Sequence, residues 1–134
     1  MKAIADTGFL VAIANSRDQY HDWAVGLLGS LQTPLLTREA VLSETAFHLQ
    51  SSRTALLMVE SGLVRIAINP EREWPELLRL AEQFDDQSPD LADLCVIRLS
   101  EIYPMHKVLT VDRSDFRVYR RNSREPIPVV CPAD

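Results

Sequence analysis

The sequence predicts an α/β domain built around a largely parallel sheet, and three observations support this. Short apolar runs alternate along the chain with segments of helical spacing, which is the pattern of strand–helix–strand crossover units. The 134 residues are enough for one domain with a substantial buried core. A composition of 46% hydrophobic and 25% charged residues is ordinary for a folded protein. We therefore predict one domain over residues 1–134.

Strands are predicted where short apolar runs stand between turns or alternate with polar residues. In chain order, these segments are Lys2–Ala5, Pro34–Leu36, Val64–Ile68, Lys107–Val111 and Ile127–Val130. Helices are predicted where apolar residues recur three or four positions apart. These segments are Phe9–Ala14, Tyr20–Leu31, Arg38–Ser51, Thr54–Glu60, Trp74–Phe84 and Ser88–Tyr103. Gly62 is expected to end the fourth helix, and Ser88 to cap the sixth.

Several functional classes lack their sequence features. The chain contains no G-x-G-x-x-G, Walker or G-x-S-x-G motif, which argues against nucleotide cofactors and a serine triad. No apolar run is long enough to predict a membrane span. The two cysteines, Cys95 and Cys131, do not form a C-x-x-C pair, and this favours a reduced, cytoplasmic setting.

Charge is distributed unevenly along the chain. The formal net charge of -5 argues against a sequence-independent nucleic-acid binder. One segment departs from this balance, because Arg113, Arg117, Arg120, Arg121 and Arg124 are opposed only by Asp115. The segment is either a phosphate-binding surface or a solvated face, and its charge alone does not decide between them.

Two acidic residues directly follow predicted buried strands. Asp6 follows the first strand and Asp112 follows the fourth. Because ligands of open parallel sheets bind beyond the carboxyl ends of the strands, we expect both carboxylates to face one crevice. Taken singly, each residue also fits a turn or a helix cap.

Two further acids lie on helix faces that are otherwise apolar. Glu44 lies one turn from Val41 and Phe47, and Asp93 lies one turn before Val96 and Ile97. A carboxylate that faces a core is costly unless it is paired or binds a metal. A salt bridge to a neighbouring arginine is therefore the alternative explanation for each of them.

The four carboxylates together favour a metal site. No lysine or arginine accompanies them clearly in the sequence, and clustered carboxylates raise each other's pKa unless a cation neutralises them. Oxygen ligands suit Mg²⁺ or Mn²⁺, and an acidic pocket that holds such ions is the usual apparatus for phosphodiester hydrolysis. We expect Asp6, Glu44, Asp93 and Asp112 to converge on one pocket.

Four segments carry these acids: AIADTGFLVAIAN near the start, VLSETAFHL in the third helix, PDLADLCVIRLSE in the sixth and VLTVDRSDF at the end of the fourth strand. In residue type, order and spacing they resemble the PIN domain, and within it the VapC-like toxins of type II toxin–antitoxin systems. The resemblance implies a three-layer α/β/α sandwich and Mg²⁺- or Mn²⁺-dependent endoribonuclease activity. One departure is Leu94-Cys95, where many relatives have Ala-Ser after the aspartate.

The resemblance also implies a role for each candidate site residue. The catalytic carboxylates would be Asp6, Glu44, Asp93 and Asp112; Asp6, Asp93 and Asp112 would bind the metal, and Glu44 would complete the shell or orient the attacking water. Thr7 and Thr110 would support them, the latter within the T-x-D-x-x-D-F pattern. Arg113, Arg117, Arg120 and Arg121 would hold the RNA backbone. Asp90 competes with Asp93 as a ligand, although helix capping also explains it.

The implied partners are an RNA substrate, a cognate antitoxin and a second copy of the chain, in the cytoplasm and without a membrane. The alternative function is a non-catalytic PIN scaffold that binds RNA or protein. A haloacid-dehalogenase-like phosphohydrolase is disfavoured, because that class needs a second aspartate two residues after the first, where this chain has Gly8.

Overall fold

The computed structural model describes residues 1–133. Its strands are β1 (Ala3–Ala5), β2 (Leu35–Thr37), β3 (Val64–Ile66), β4 (Lys107–Leu109), β5 (Arg120–Arg121), β6 (Glu125–Pro126) and β7 (Val129–Val130). Its helices are α1 (Thr7–Ala14), α2 (His21–Leu27), α3 (Glu39–Leu49), α4 (Ser52–Glu60), α5 (Pro70–Gln83), α6 (Leu91–Ile102) and α7 (Arg113–Val118). Two 3₁₀ turns, Leu28–Ser30 and Asp85–Gln87, follow α2 and α5.

Five strands form a parallel sheet in the order β3-β2-β1-β4-β7. Helix α1 contacts α2 and α3, α3 contacts α4, and α5 contacts α6. Because parallel crossovers are right-handed, the reversal of strand order after β3 puts α1 to α4 on one face of the sheet and α5 and α6 on the other. The predicted three-layer α/β/α sandwich with a mostly parallel sheet is therefore confirmed. A small antiparallel hairpin of β5 and β6 lies outside this sheet and was not predicted.

The core lies on both faces of the sheet, since the central strands are buried throughout. All three residues of β1 and of β2 are buried, as a strand covered on two faces requires. On α6, Val96, Ile97 and Leu99 are fully buried. The helix is therefore fixed against the sheet over most of its length, which also fixes the position of its first turn.

Several predicted element boundaries need correction. The helix α6 starts later than expected, because Asp90 and not Ser88 is its N-cap; Asp90 accepts a hydrogen bond from the Asp93 N–H group, and Ser88 has a left-handed backbone with φ of 47°. Strand β4 ends at Leu109, which leaves Thr110 in the loop after it. Gly62, with φ of 83°, follows α4 as predicted. Within residues 1–133, no helix combines the length and apolar character needed to cross a membrane.

Candidate active site

The site lies where two neighbouring strands end. β1 leads through Asp6 into α1, and β4 leads through Thr110 to Asp112, which directly precedes α7. The chain moves from β1 towards β2 on one side and reaches β4 on the other, so this junction is the switch point of the sheet, where ligands of open α/β folds bind. Gly8 allows close approach here, because a Cβ atom at this position would collide with Val111.

Two threonine hydroxyls connect the carboxylates around this junction. The Thr110 hydroxyl donates a 2.7 Å hydrogen bond to Asp6 Oδ2 and accepts one of 3.0 Å from the Asp112 N–H group. The Thr7 hydroxyl donates to Glu44 Oε2 at 3.2 Å, while the Thr7 N–H group donates to Asp6 Oδ1 at 2.9 Å. Thr110 is fully buried, so its hydroxyl holds Asp6 in one orientation.

Asp93 is held by a residue that the sequence interpretation did not select. The Tyr119 hydroxyl donates a 3.1 Å hydrogen bond to Asp93 Oδ2. The Tyr119 ring is buried, with edge-to-face contacts to Phe84 and Phe116 whose centroids each lie 5.4 Å away. These contacts fix the phenol, and the phenol in turn fixes the Asp93 carboxylate on the first turn of α6.

All four predicted carboxylates line one cleft of about 370 Å³. Two further acids line it as well, Asp90 and Asp115, together with His48. Among the described residues that line this cleft, none is a lysine or an arginine. The cleft therefore concentrates negative charge at the switch point without a built-in counter-ion.

This crowding changes the proton affinity of each predicted carboxylate. Burial raises the pKa of Asp93 to about 7, and the charges of Asp90 and Asp6 add to the rise. Partial burial and the neighbouring charge of Asp115 raise the pKa of Asp112 to about 6. Burial also raises the pKa of Asp6, against the opposing hydrogen bonds from Thr110 and Thr7.

Glu44 follows the same trend. Its pKa is raised by burial, and then by the carboxylate of Asp90 beside it. The salt-bridge alternative is wrong for Glu44 and for Asp93, because no ion pair among the described residues involves either carboxylate. Both side chains instead face the acidic cleft.

The donor chemistry of the cleft fits a divalent cation. Its carboxylates offer only oxygen ligands, and burial together with their mutual repulsion raises their pKa values, which a bound cation would oppose. Within residues 1–133, no three or more histidine, cysteine, aspartate or glutamate side chains lie together in a group that could by itself hold a metal ion. Mg²⁺ commonly keeps several waters and takes only one or two carboxylates, so the residues present fit it and Mn²⁺.

The arginine segment differs from the prediction at one position. Arg121 is only 8% exposed, and its guanidinium donates to Ser100 O, Ser100 Oγ and Pro104 O and pairs with Glu125. The prediction that Arg121 contacts RNA is therefore wrong, because all of these groups belong to the protein itself and secure the β5–β6 hairpin to the end of α6.

The other predicted RNA-contacting arginines lie nearer to solvent. Arg117 is exposed on α7, and Arg113 donates to the carbonyl of Pro132 at 2.9 Å. Arg120 is half-buried and donates to the carbonyls of Arg117 and Tyr119. Of these three side chains, Arg117 has the most exposed position, and the RNA contacts remain a prediction.

Three residues of the site were not predicted. Tyr119 contacts Asp93 across 26 positions of sequence, a distance over which no local pattern operates. Asp115 is the second aspartate of the T-x-D-x-x-D-F pattern, and its spacing of three residues from Asp112 at the start of a short helix indicates a shared face. His48 follows Glu44 by one helical turn, which is the signal that could have placed it at the cleft.

The order of the sheet, its flanking helices and the acidic cleft at the switch point together define an α/β/α domain of the PIN-like class. The sequence matches no family model and no curated protein. Among solved structures, it is similar to the Mycobacterium tuberculosis toxin VapC20, described as sarcin–ricin loop cleaving, with a TM-score of 0.67 and 20% identity. The match covers 80% of this chain and 87% of that one. The predicted VapC-like PIN fold is thereby confirmed.

Proposed function

We propose that the protein is a metal-dependent endoribonuclease and the toxin of a type II toxin–antitoxin pair. The observation that carries this proposal is the cleft of six carboxylates at the switch point of the sheet, four of which, Asp6, Glu44, Asp93 and Asp112, have raised pKa values. A cleft of this chemistry attracts divalent cations and repels bare phosphate, so it suits metal-assisted cleavage of a phosphodiester. The fold shared with a toxin that cleaves the sarcin–ricin loop adds support.

Asp6 and Asp93 would hold Mg²⁺ or Mn²⁺, and Asp112 would complete the ligand set once its side chain moves towards the bound ion. When bound, the cation would supply an activated water and stabilise charge on the reacting phosphate and on the leaving oxygen. Glu44 would complete the ligand shell or orient the attacking water from its side of the cleft. Thr110 and Thr7 keep their hydrogen bonds to the carboxylates and so preserve the donor geometry. In-line hydrolysis would leave a 5′-phosphate and a 3′-hydroxyl.

The test is cleavage of two RNA hairpins, one with the sarcin–ricin loop sequence and one with that loop scrambled. We expect cleavage with Mg²⁺ or Mn²⁺, no cleavage in EDTA, and 5′-phosphate ends on the products. Asp6→Asn and Asp93→Asn should each lower the rate by about 100-fold or more, because each removes a ligand charge. Glu82→Gln is the matched control, since Glu82 is an exposed carboxylate outside the cleft.

Two results would count against this function. Cleavage that persists in EDTA and in both aspartate variants would exclude the acidic cleft as the active site. RNA binding without cleavage in either metal would instead favour the non-catalytic scaffold.

A groove between α3 and α4 supports the proposed protein partner. It measures about 1330 Å³, and its lining includes Phe47 and Leu56, whose surfaces are 78% and 66% exposed. Exposed apolar grooves between two helices suit an amphipathic helix from another protein. We assign this groove to the antitoxin, because α3 also carries Glu44 and His48 in the acidic cleft, so that a protein seated there lies beside the active site.

The remaining partners follow from the same function. A homodimer stays a prediction to which no surface is assigned, and a sedimentation measurement of the purified chain would test it. The RNA substrate would place the enzyme in the cytoplasm.

A further inference from the structure

A cleft with basic side chains in its lining lies at the opposite edge of the sheet. It measures about 340 Å³ and is lined by residues around the amino ends of the strands, among them Lys2, Gln32, Thr33, Arg65, Tyr103 and His106. We call it the amino-edge cleft. Lys2 precedes β1, Gln32 and Thr33 precede β2, and His106 precedes β4, whereas the predicted catalytic aspartates Asp6 and Asp112 follow β1 and β4. The two clefts are therefore separate sites.

Register brings the two cations of the amino-edge cleft to the same face of the sheet. Arg65 pairs with Leu36 on β2, and Leu36 pairs with Ile4 on β1. Lys2 lies two positions before Ile4, and residues two apart on a strand share a face. Both side chains are exposed, so a ligand from solvent can reach them.

The charge of this cleft is the reverse of that of the acidic cleft. Its lining contains Lys2, Arg65 and His106 but no carboxylate among the described residues. Neither Lys2 nor Arg65 forms an ion pair within residues 1–133. Two cations without partners in a concave site are unusual on a chain of net charge -5, and they attract an anion.

His106 supplies an independent observation. Its Nδ1 atom is out of contact with solvent and has no hydrogen-bond partner among the described residues. Burial lowers the pKa of His106, and the charges of Lys2 and Arg65 lower it further, which shows how closely these groups are assembled. Because this nitrogen is closed to solvent, we use the ring as a reporter of binding beside Lys2 and Arg65 and do not count Nδ1 among the groups that contact the ligand.

We propose that the amino-edge cleft binds a phosphate group. Lys2 and Arg65 supply the two positive charges, and Gln32, Thr33 and Tyr103 supply neutral hydrogen-bond donors, which is the combination that phosphate oxygens require. The phosphate has two chemical sources, a free or mononucleotide phosphate and the backbone of an RNA strand. Neither binding mode needs the metal cleft, so the proposal goes beyond the nuclease function and stands apart from it.

The experiment is a titration followed by NMR of the His106 ring, with the Asp6→Asn protein in EDTA so that RNA stays intact. The probes are inorganic phosphate, adenosine 5′-monophosphate and a short single-stranded RNA. We expect a saturable shift of the His106 ring signals that weakens by about fivefold or more in the double variant Lys2→Gln, Arg65→Gln. A shift with phosphate or the mononucleotide identifies a small ligand, and a shift with RNA alone identifies the backbone.

The matched control removes two positive charges elsewhere. Arg17 and Arg72 are exposed and lie outside this cleft, so Arg17→Gln, Arg72→Gln should leave the titration unchanged. The proposal is overturned if no probe gives a saturable shift in the protein that keeps Lys2 and Arg65. This outcome can be read even if the double variant does not fold. It is overturned equally if the shift survives in the double variant, or weakens as much in the control.

Discussion

The hydroxyl of Tyr119, the residue that directly follows α7, fixes the orientation of Asp93. Removal of this hydroxyl leaves the ring contacts with Phe84 and Phe116 in place. The variant Tyr119→Phe therefore isolates one hydrogen bond, whose donation to the carboxylate holds the pKa of Asp93 below the value that burial and Asp90 would otherwise give it.

For Tyr119→Phe we expect the metal-free protein to lose roughly 1 kcal/mol of unfolding free energy. Affinity for Mn²⁺ should fall by about 10-fold, because the carboxylate is both less well oriented and more readily protonated. The loss should be larger at pH 6 than at pH 8, as measured by calorimetric titration. Tyr103→Phe, at the opposite edge of the sheet, is the control; an equal loss in both variants would contradict this account.

Asp93 itself is predicted to destabilise the metal-free fold at neutral pH and above. Because its pKa is raised to about 7 from an ordinary 3.8, the folded protein resists its ionisation. Asp93→Asn should therefore raise stability at pH 8 by on the order of 1 kcal/mol, or about 3–5 °C in melting temperature, with little effect at pH 4. Thermal melts at both pH values in EDTA measure this, and a variant that is less stable at pH 8 would contradict it.

At the scale of elements, the β5–β6 hairpin depends on Arg121. Its guanidinium satisfies the carbonyls of Ser100 and Pro104 at the carboxyl end of α6. Glu101, near the end of α6, also accepts a hydrogen bond from the N–H group of Asn122, which follows β5. The arginine-rich segment 113–124 therefore contains Arg121, which stabilises the fold, beside arginines that lie nearer to solvent.

We predict that Arg121→Gln costs about 2–4 kcal/mol, because it leaves buried carbonyl groups without donors. Arg117→Gln should leave stability unchanged, since Arg117 is exposed. If Arg117 contacts RNA, its loss should weaken binding to all sequences alike and flatten the salt dependence by somewhat under one unit of slope. Chemical denaturation and a salt series of RNA binding measure the two effects; equal stability of the two variants would refute the structural role of Arg121.

The groove between α3 and α4 leads to a separate prediction about the proposed antitoxin. Phe47→Asp should leave the melting temperature and RNA cleavage unchanged, because 78% of the side chain is exposed. It should weaken binding of the proposed antitoxin by about 10-fold or more. Leu78→Asp, at a position 61% exposed on α5, is the matched control. Equal binding by both variants would exclude the groove as the docking surface.

For the whole molecule, the summed carboxylate shifts predict an unusual dependence of stability on pH. The folded protein binds more protons than the unfolded chain between about pH 4 and pH 7, because Asp93 and Asp112 have pKa values of about 7 and 6 against 3.8. Stability without metal should therefore fall as pH rises through this window. Mn²⁺ should restore it at pH 8, which denaturant titrations with and without the ion would show; stability that rises with pH in EDTA would contradict the prediction.

The order of strands and helices could be predicted because it is encoded locally, in apolar runs and helical spacing. The position of Asp6 and Asp112 in one cleft could be predicted for the same reason, because both residues directly follow apolar runs that are recognisable as strands. Glu44 was found partly for a wrong reason: Phe47, taken as part of a core-facing stripe, is exposed and faces the groove instead. Tyr119 and Arg121 could not be assigned, because their contacts depend on how a six-residue helix and a two-residue strand turn back on α6.

Among the described residues that line the acidic cleft, there is no lysine or arginine. This affects the order in which a metal ion and RNA would bind. Without a cation, the cleft repels a phosphate group, so ion binding and RNA binding would be thermodynamically linked in the proposed nuclease. Each must raise the affinity for the other by the same factor. The apparent dissociation constant for Mn²⁺ should therefore be smaller when RNA is present, and the metal-free protein should hold RNA only weakly at this edge of the sheet.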